Sequence, residues 1–149
     1  MVSWLVSSIN LENIKIAYER LVWGFWDREA GEKQRKNWRP FIRLFNNLKP
    51  FDYIVFQIAG TGEIHGLGII KSTYYDDQTL IWPKEIQQNK VLYPWRIELS
   101  LMIFSEEPFQ TKFISISNYI DGYGIGEFPQ HELNSLLSNI KSKIQLNLR

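Results

Sequence analysis

Trp23, Trp26 and Trp82 are the residues of this 149-residue chain whose type and setting suggest chemistry beyond packing. Gly24 separates the first pair and Pro83 follows the third, so all three rings are expected in irregular loops. Aromatics in loops either anchor a loop over the core or form the flat walls of a pocket. Such walls suit a nucleobase, whose stacking is worth about 1–3 kcal/mol. The charge pattern gives the second reading some company. Between Arg28 and Lys49 lie seven basic residues and only Glu29 and Glu32 as acids, a local charge of +5 in a chain whose total is +1. A strip of this kind is either a solvated helix face or a footprint for phosphates, with Arg35, Lys36, Arg39 and Arg43 as the candidate contacts.

Other chemistries find little support. The chain has no cysteine, which excludes a disulfide framework, a thiolate zinc site and a Cys nucleophile. His65 and His131 are 66 positions apart, with no further ligand at metal-binding spacing from either. The nucleophile elbow, the P-loop and the dinucleotide-binding glycine fingerprint are all absent. Adjacent Asp76 and Asp77 would point apart on a strand, so a solvated turn is expected there rather than a catalytic pair. No enzyme activity, metal or cofactor is therefore expected. No apolar run approaches the ~18 residues of a membrane span. Met1 to Ile9 lacks the basic region and cleavage site of a signal peptide, and a cytoplasmic protein is expected.

The elements that must position these residues can be read from periodicity. Trp4 to Ser7 reads as a strand, and Asn10 offers an N-cap to a helix with Ile14, Ala17, Tyr18 and Leu21 on one stripe. A second helix is predicted from Trp38 to about Leu48, with Pro40 tolerated in its first turn and Arg35, Arg39 and Arg43 at fourfold spacing beside it. Ile54, Phe56 and Ile58 alternate before the turn Ala59-Gly-Thr-Gly62, and a strand returns over Glu63 to Lys71. Lys84 to Lys90 reads as a polar loop. Alternating Trp95, Ile97, Leu99, Leu101 and Ile103 give the cleanest strand, and Phe113 to Ile120 another. A glycine-rich loop over 121–126 precedes a last helix bearing Leu133, Leu136, Leu137, Ile140 and Ile144. The order predicts one α+β domain over residues 1–149, with a curved or barrel-like sheet flanked by helices.

Several of these segments resemble known families in order and spacing. Leu5-Val-Ser-Ser-Ile-Asn-Leu-Glu-Asn13 followed by Trp23, the hairpin Phe56 to Ser72, Trp82 in LIWP, and Asp121-Gly122 resemble YTH domains, the N6-methyladenine readers of the PUA-like superfamily. Tyr74-Tyr-Asp-Asp77, Trp82-Pro83 and Tyr93-Pro-Trp-Arg96 resemble the related EVE domains. The resemblance implies a PUA-like, EVE/YTH-type curved six-stranded β-barrel flanked by helices, with a rim pocket for one flipped base. By the same resemblance Trp23 and Trp82 would be facing walls of an aromatic cage, and Asn13 would bond a ring nitrogen. The Gly24 carbonyl would accept the exocyclic N–H, Ser8 would lie at the floor or the adjoining phosphate, and Leu92 or Ile86 would complete the cage. The implied function is a non-enzymatic reader of N6-methyladenine in RNA or DNA, single-stranded or with a flipped base. Two alternatives stay open: an EVE-type reader of 5-methyl- or 5-hydroxymethylcytosine, and a general PUA-like RNA-binding protein. A monomer is expected, with a nuclease or restriction enzyme as the kind of effector that accompanies this group.

Overall fold

A computed structural model describes residues 2–143 of the chain. Its centre is a mixed sheet in the order β2(Val22–Phe25), β5(Trp95–Phe104), β4(Glu63–Tyr75), β3(Tyr53–Ile58), β1(Ser3–Ser8), β8(Ile125–Glu127), β7(Ser117–Ile120), with a two-residue β6(Gln110–Thr111) against β4. Only β1 and β3 run parallel; the other pairs are antiparallel. Eight strands are therefore described where six were expected. The edge strands β2 and β7 do not pair with each other, so the curled sheet is a half-barrel open along one seam.

Both faces of the sheet are covered, which explains why its inner strands read as nearly unbroken apolar runs. Trp4 and Val6 of β1, with Ile54 and Phe56 of β3, point to one core beneath α1(Leu11–Arg20) and α3(Trp38–Phe45). Leu5 and Val55 point the other way, against Leu133, Leu136 and Ile140 of α5(Gln130–Lys143). Ile144, expected on the same stripe, lies outside the described residues. The alternation of β5 reverses midway because Leu99 opposes Ile70 while Leu101 opposes Ile69, which leaves Ser100 as an extra residue. Leu99 and Met102 thus share the inner face and Leu101 is exposed, contrary to the simple odd-position pattern.

Asn10 caps α1 as expected, its side chain accepting from the Asn13 N–H at 2.8 Å. The helix buries Ile14 and Ala17 but not Tyr18, and Leu21 is its left-handed C-cap rather than a core residue. Four further expectations need correction. Trp23 lies in a strand, since β2 pairs with β5, and only Trp26 follows in irregular chain. Residues 84–90, expected as a loop, begin as the short helix α4(Pro83–Gln88), which starts on a proline whose missing N–H costs a helix nothing at that position. The basic strip is divided between α2(Glu32–Lys36), carrying Arg35 and Lys36, and α3, carrying Arg39 and Arg43. Phe113 precedes the short β7 and is 76% exposed.

Candidate functional site

The open seam of the half-barrel holds a cavity of about 300 Å³. Its walls come from the end of β1, the first turn of α1, β2, the chain around Trp82 and Tyr93, and the turn between β7 and β8. Ser8, Asn13, Trp23, Gly24 and Trp82 all line it, so five of the six expected base contacts are brought together from positions up to 74 residues apart. Leu92 does not join them. It lines a separate hollow beside Trp26 and Lys84, while its backbone N–H donates to Glu85 at 2.9 Å. Ile86 stands 60% exposed on α4. The neighbouring Tyr93 does line the cavity, as Tyr119 and Tyr123 do from the other side; its ring lies 5.5 Å from Trp82 and 4.6 Å from Trp26 between centroids. Its place in the Tyr93-Pro94-Trp95-Arg96 stretch was the available signal.

Trp23 and Trp82 do not face each other as parallel walls. Their centroids are 6.0 Å apart with planes crossing at 81°, one indole edge-on to the other. Both are also largely core: Trp23 is 7% and Trp82 2% exposed, and Trp23 leans on Phe56. Gly24 is what lets the Trp82 ring come so close. A Cβ there would lie 2.9 Å from two ring carbons of Trp82 and 2.8 Å from the Tyr93 carbonyl oxygen, so a serine at this position would collide. The Ser8 hydroxyl, from a residue that lines the cavity, is committed to the β1–α1 turn, donating to the Asn10 carbonyl at 2.7 Å and accepting from the Asn10 N–H at 3.3 Å. Asn13 is half-buried at the wall. Trp26 sits at the rim, with the Lys84 ammonium 4.8 Å from its ring centre, whereas Trp38 packs against the core through Phe41 and Trp95.

A buried ionic clip sets the segment that carries Trp82 and Tyr93. Glu85 is fully buried, and its carboxylate accepts from the N–H groups of Ile81, Trp82, Leu92 and Tyr93 at 2.9–3.2 Å. Arg96, also fully buried, spans the same segment. It donates to the Tyr93 and Thr79 carbonyls at 3.0 and 2.6 Å, to Asp76 at 3.0 Å and to Glu85 at 3.4 Å. Burial of the Asp76 carboxyl acts to raise its pKa, but the Gln78 and Thr79 N–H groups and the Arg96 charge outweigh it, and the group titrates below the ordinary carboxylate range. Asp77 faces away and accepts from Gln78. The Asp76-Asp77 pair is thus one structural anchor and one surface charge. Burial, helped by the Glu85 charge, pushes the Tyr93 hydroxyl up to about 12, so it stays a neutral donor.

The opposite lip is held by α2. Gln34 donates to the Gly122 carbonyl at 2.8 Å, Asn37 to the Asp121 carbonyl at 2.8 Å, and Tyr123 donates back to Gln34 at 2.9 Å. Arg35, Lys36, Arg39 and Arg43 are exposed around a hollow that Trp38 and Pro40 also line. His65 is a core residue, bonded to the Ser105 carbonyl and Glu63; His131 is at the surface. Among the described residues no cluster of His, Cys, Asp or Glu could hold a metal, and no helix is long and apolar enough to cross a membrane.

A curled mixed sheet, flanking helices and a seam cavity define a YTH-like fold. The Toxoplasma CPSF4 YTH domain, solved in complex with a 7-mer m6A-modified RNA, superposes with a TM-score of 0.55 at 18% identity, covering 98% of this chain and 93% of that one. The YTH domain of Zygosaccharomyces rouxii MRB1, in complex with N6-methyladenosine RNA, gives 0.52 at 14% identity, with 99% and 88% covered. No protein-family model matches the chain. It is 58% identical over 143 residues to Uncharacterized protein MJ1369 of Methanocaldococcus jannaschii, spanning 96% of this chain and 92% of that protein, and it belongs to that protein's family. A shorter stretch of 65 residues is 31% identical to UPF0310 protein SSO2595 of Saccharolobus solfataricus, covering 40% of this chain and 44% of that one.

Proposed function

We propose that the chain is a non-enzymatic nucleic-acid-binding module that takes one modified base, N6-methyladenine, into the seam cavity. The observation that carries this reading is the convergence of Trp23, Trp82, Tyr93, Gly24 and Asn13 on one cavity, in a fold whose solved counterparts hold m6A RNA. A methyl on the exocyclic amine removes one donor and adds apolar surface. Enclosing it among indole and phenol rings is worth roughly 0.8 kcal/mol for the methyl itself, with the stacked base adding more. Asn13 supplies an amide for a ring nitrogen, and the Gly24 backbone an acceptor for the remaining N–H. Because the Trp23 and Trp82 rings meet edge to face, the base stacks on one of them and abuts the other, or Trp82 shifts on binding. Extruding a base from a duplex costs a few kcal/mol, so single strands are preferred. Arg35, Lys36, Arg39 and Arg43 add sequence-independent phosphate attraction.

A second reading, an EVE-type reader of 5-methyl- or 5-hydroxymethylcytosine, draws on the small volume of about 300 Å³, at the lower end for ligand pockets and well suited to a pyrimidine. Fluorescence polarisation with short single strands carrying adenine, N6-methyladenine, cytosine or 5-methylcytosine, at two salt concentrations, tests both. About tenfold tighter binding of N6-methyladenine, roughly 1.4 kcal/mol, that persists at the higher salt is expected. A preference for the modified cytosine selects the second reading. Equal binding of all four, lost with salt, overturns both and leaves a general RNA-binding surface.

A further inference from the structure

Next to the seam cavity, and sharing Tyr119 and Asp121 with it, lies a second hollow of about 460 Å³ between α3 and β7. We propose that it is a subsite for one nucleotide adjoining the flipped base, so that the bound strand is gripped on one side of the cavity only. The proposal rests on the base-binding reading of the first cavity. Tyr119 forms the ridge between the two hollows. Its ring is 42% exposed, and its hydroxyl donates to Ser7 Oγ at 3.1 Å, an oxygen that also accepts from Gln57 at 2.9 Å. An exposed aromatic fixed at its polar end is a platform on which a base can stack without losing side-chain freedom.

The walls of the hollow fit a nucleotide in a definite orientation. Arg43 and Pro40 belong both to this hollow and to the basic one beyond it, which places a cation at the far end for the linking phosphate. Asn47 and Asn118 are exposed side-chain amides that make no hydrogen bond among the described residues. Glu127 adds a carboxylate that repels phosphate but accepts from a base amine. Asp121, the other acid, is partnered by Lys33 at 3.2 Å. Polar edge readers on one side and a cation on the other are what a nucleotide requires. The opposite flank of the cavity, beyond Trp26, bears Asp27, Glu29 and Asp77 against Lys84 and Lys90, with no comparable arginine cluster.

The test is calorimetry with dinucleotides that extend N6-methyladenosine on its 5′ or its 3′ side, and with N6-methyladenosine monophosphate alone. Wild type is expected to gain at least fivefold in affinity from extension on one side and less than twofold from the other. The double variant Asn47→Ala, Asn118→Gly should lose the one-sided gain while binding the monophosphate as wild type does. Glycine suits position 118 because Asn118 has φ 55°. Equal gains from both sides, or a one-sided gain that survives in the double variant, would overturn the subsite. If unmethylated dinucleotides show the same one-sided, variant-sensitive gain with no preference for the methyl, the subsite stands and the modified-base reading falls. Should no dinucleotide bind in any form, both fall together.

Discussion

The proposed function gives Trp82 two duties that its burial brings into conflict. As a cage wall it must present an aromatic face to a ligand, yet at 2% exposure it is also one of the best-buried large side chains, touching Trp23, Tyr93 and the bare Cα of Gly24. Truncation to alanine would remove both functions at once, since deleting a buried tryptophan typically costs about 3–5 kcal/mol. Trp82→Leu separates them better, keeping apolar volume while abolishing the π face. We expect Trp82→Leu to melt cooperatively at a lower temperature and to lose most of the preference for N6-methyladenine over adenine. A variant that folds and discriminates like wild type would remove Trp82 from the site. The substitution also bears on how Gly24 is read. Its value lies as much in the space it leaves for the indole as in its carbonyl, a packing relation that residue type and spacing could not reveal.

At the scale of elements, the segment between β4 and β5 is held by the Asp76–Arg96–Glu85 clip as well as by the packing of Ile81 and Trp82 into the core. Asp76 titrates below the ordinary carboxylate range in the folded protein, so its contribution to stability is present above the unfolded carboxyl pKa, about 3.9, and is lost as the pH falls through the folded value. Replacing it by asparagine should therefore lower the urea midpoint at pH 7 and do so progressively less as the pH is taken below about 4. A pH-independent difference would mean that the carboxylate charge is not what Arg96 needs. This clip also marks where the sequence was legible and where it was not. β1, α1, the β3–β4 hairpin and α3 follow from local alternation, an Asn cap and a Pro in a first turn. The path of residues 76–95 does not, because Glu85 and Arg96 act through backbone carbonyls and N–H groups across 20 positions, which no periodicity records. The same non-local cause hid β2, whose four residues are a strand only because β5 lies alongside. It also put Tyr93 rather than Leu92 on the cavity lining, and the β5 bulge at Ser100 flipped Leu101 to the outside. The expected walls Trp23 and Trp82 were brought together, but their crossing angle is set by packing against Phe56 and Tyr93.

Across the whole molecule, a net charge of +1 conceals the separation between a basic lobe and a nearly neutral cavity. α2 is tied to the cavity lip through Gln34, Asn37 and Tyr123, so Arg35, Lys36, Arg39 and Arg43 are held at a fixed place relative to the cavity. Affinity and selectivity should then be separable. Each phosphate neutralised on a single strand contributes about −0.7 to the slope of log affinity against log salt, whereas methyl burial and stacking are nearly independent of salt. Replacing all four cations by alanine removes exposed side chains with no buried partner and should leave thermal stability nearly unchanged. In a salt titration of a methylated and an unmethylated strand of about seven nucleotides, the fourfold variant should bind both more weakly at low salt. Its slope should be shallower by about 1.5 to 3, corresponding to two to four phosphates released from contact. The ratio of the two affinities should be the same as in wild type at every salt concentration. A ratio that collapses along with the slope would mean that these arginines and the lysine orient the base itself, joining in one site what the fold places on two neighbouring surfaces.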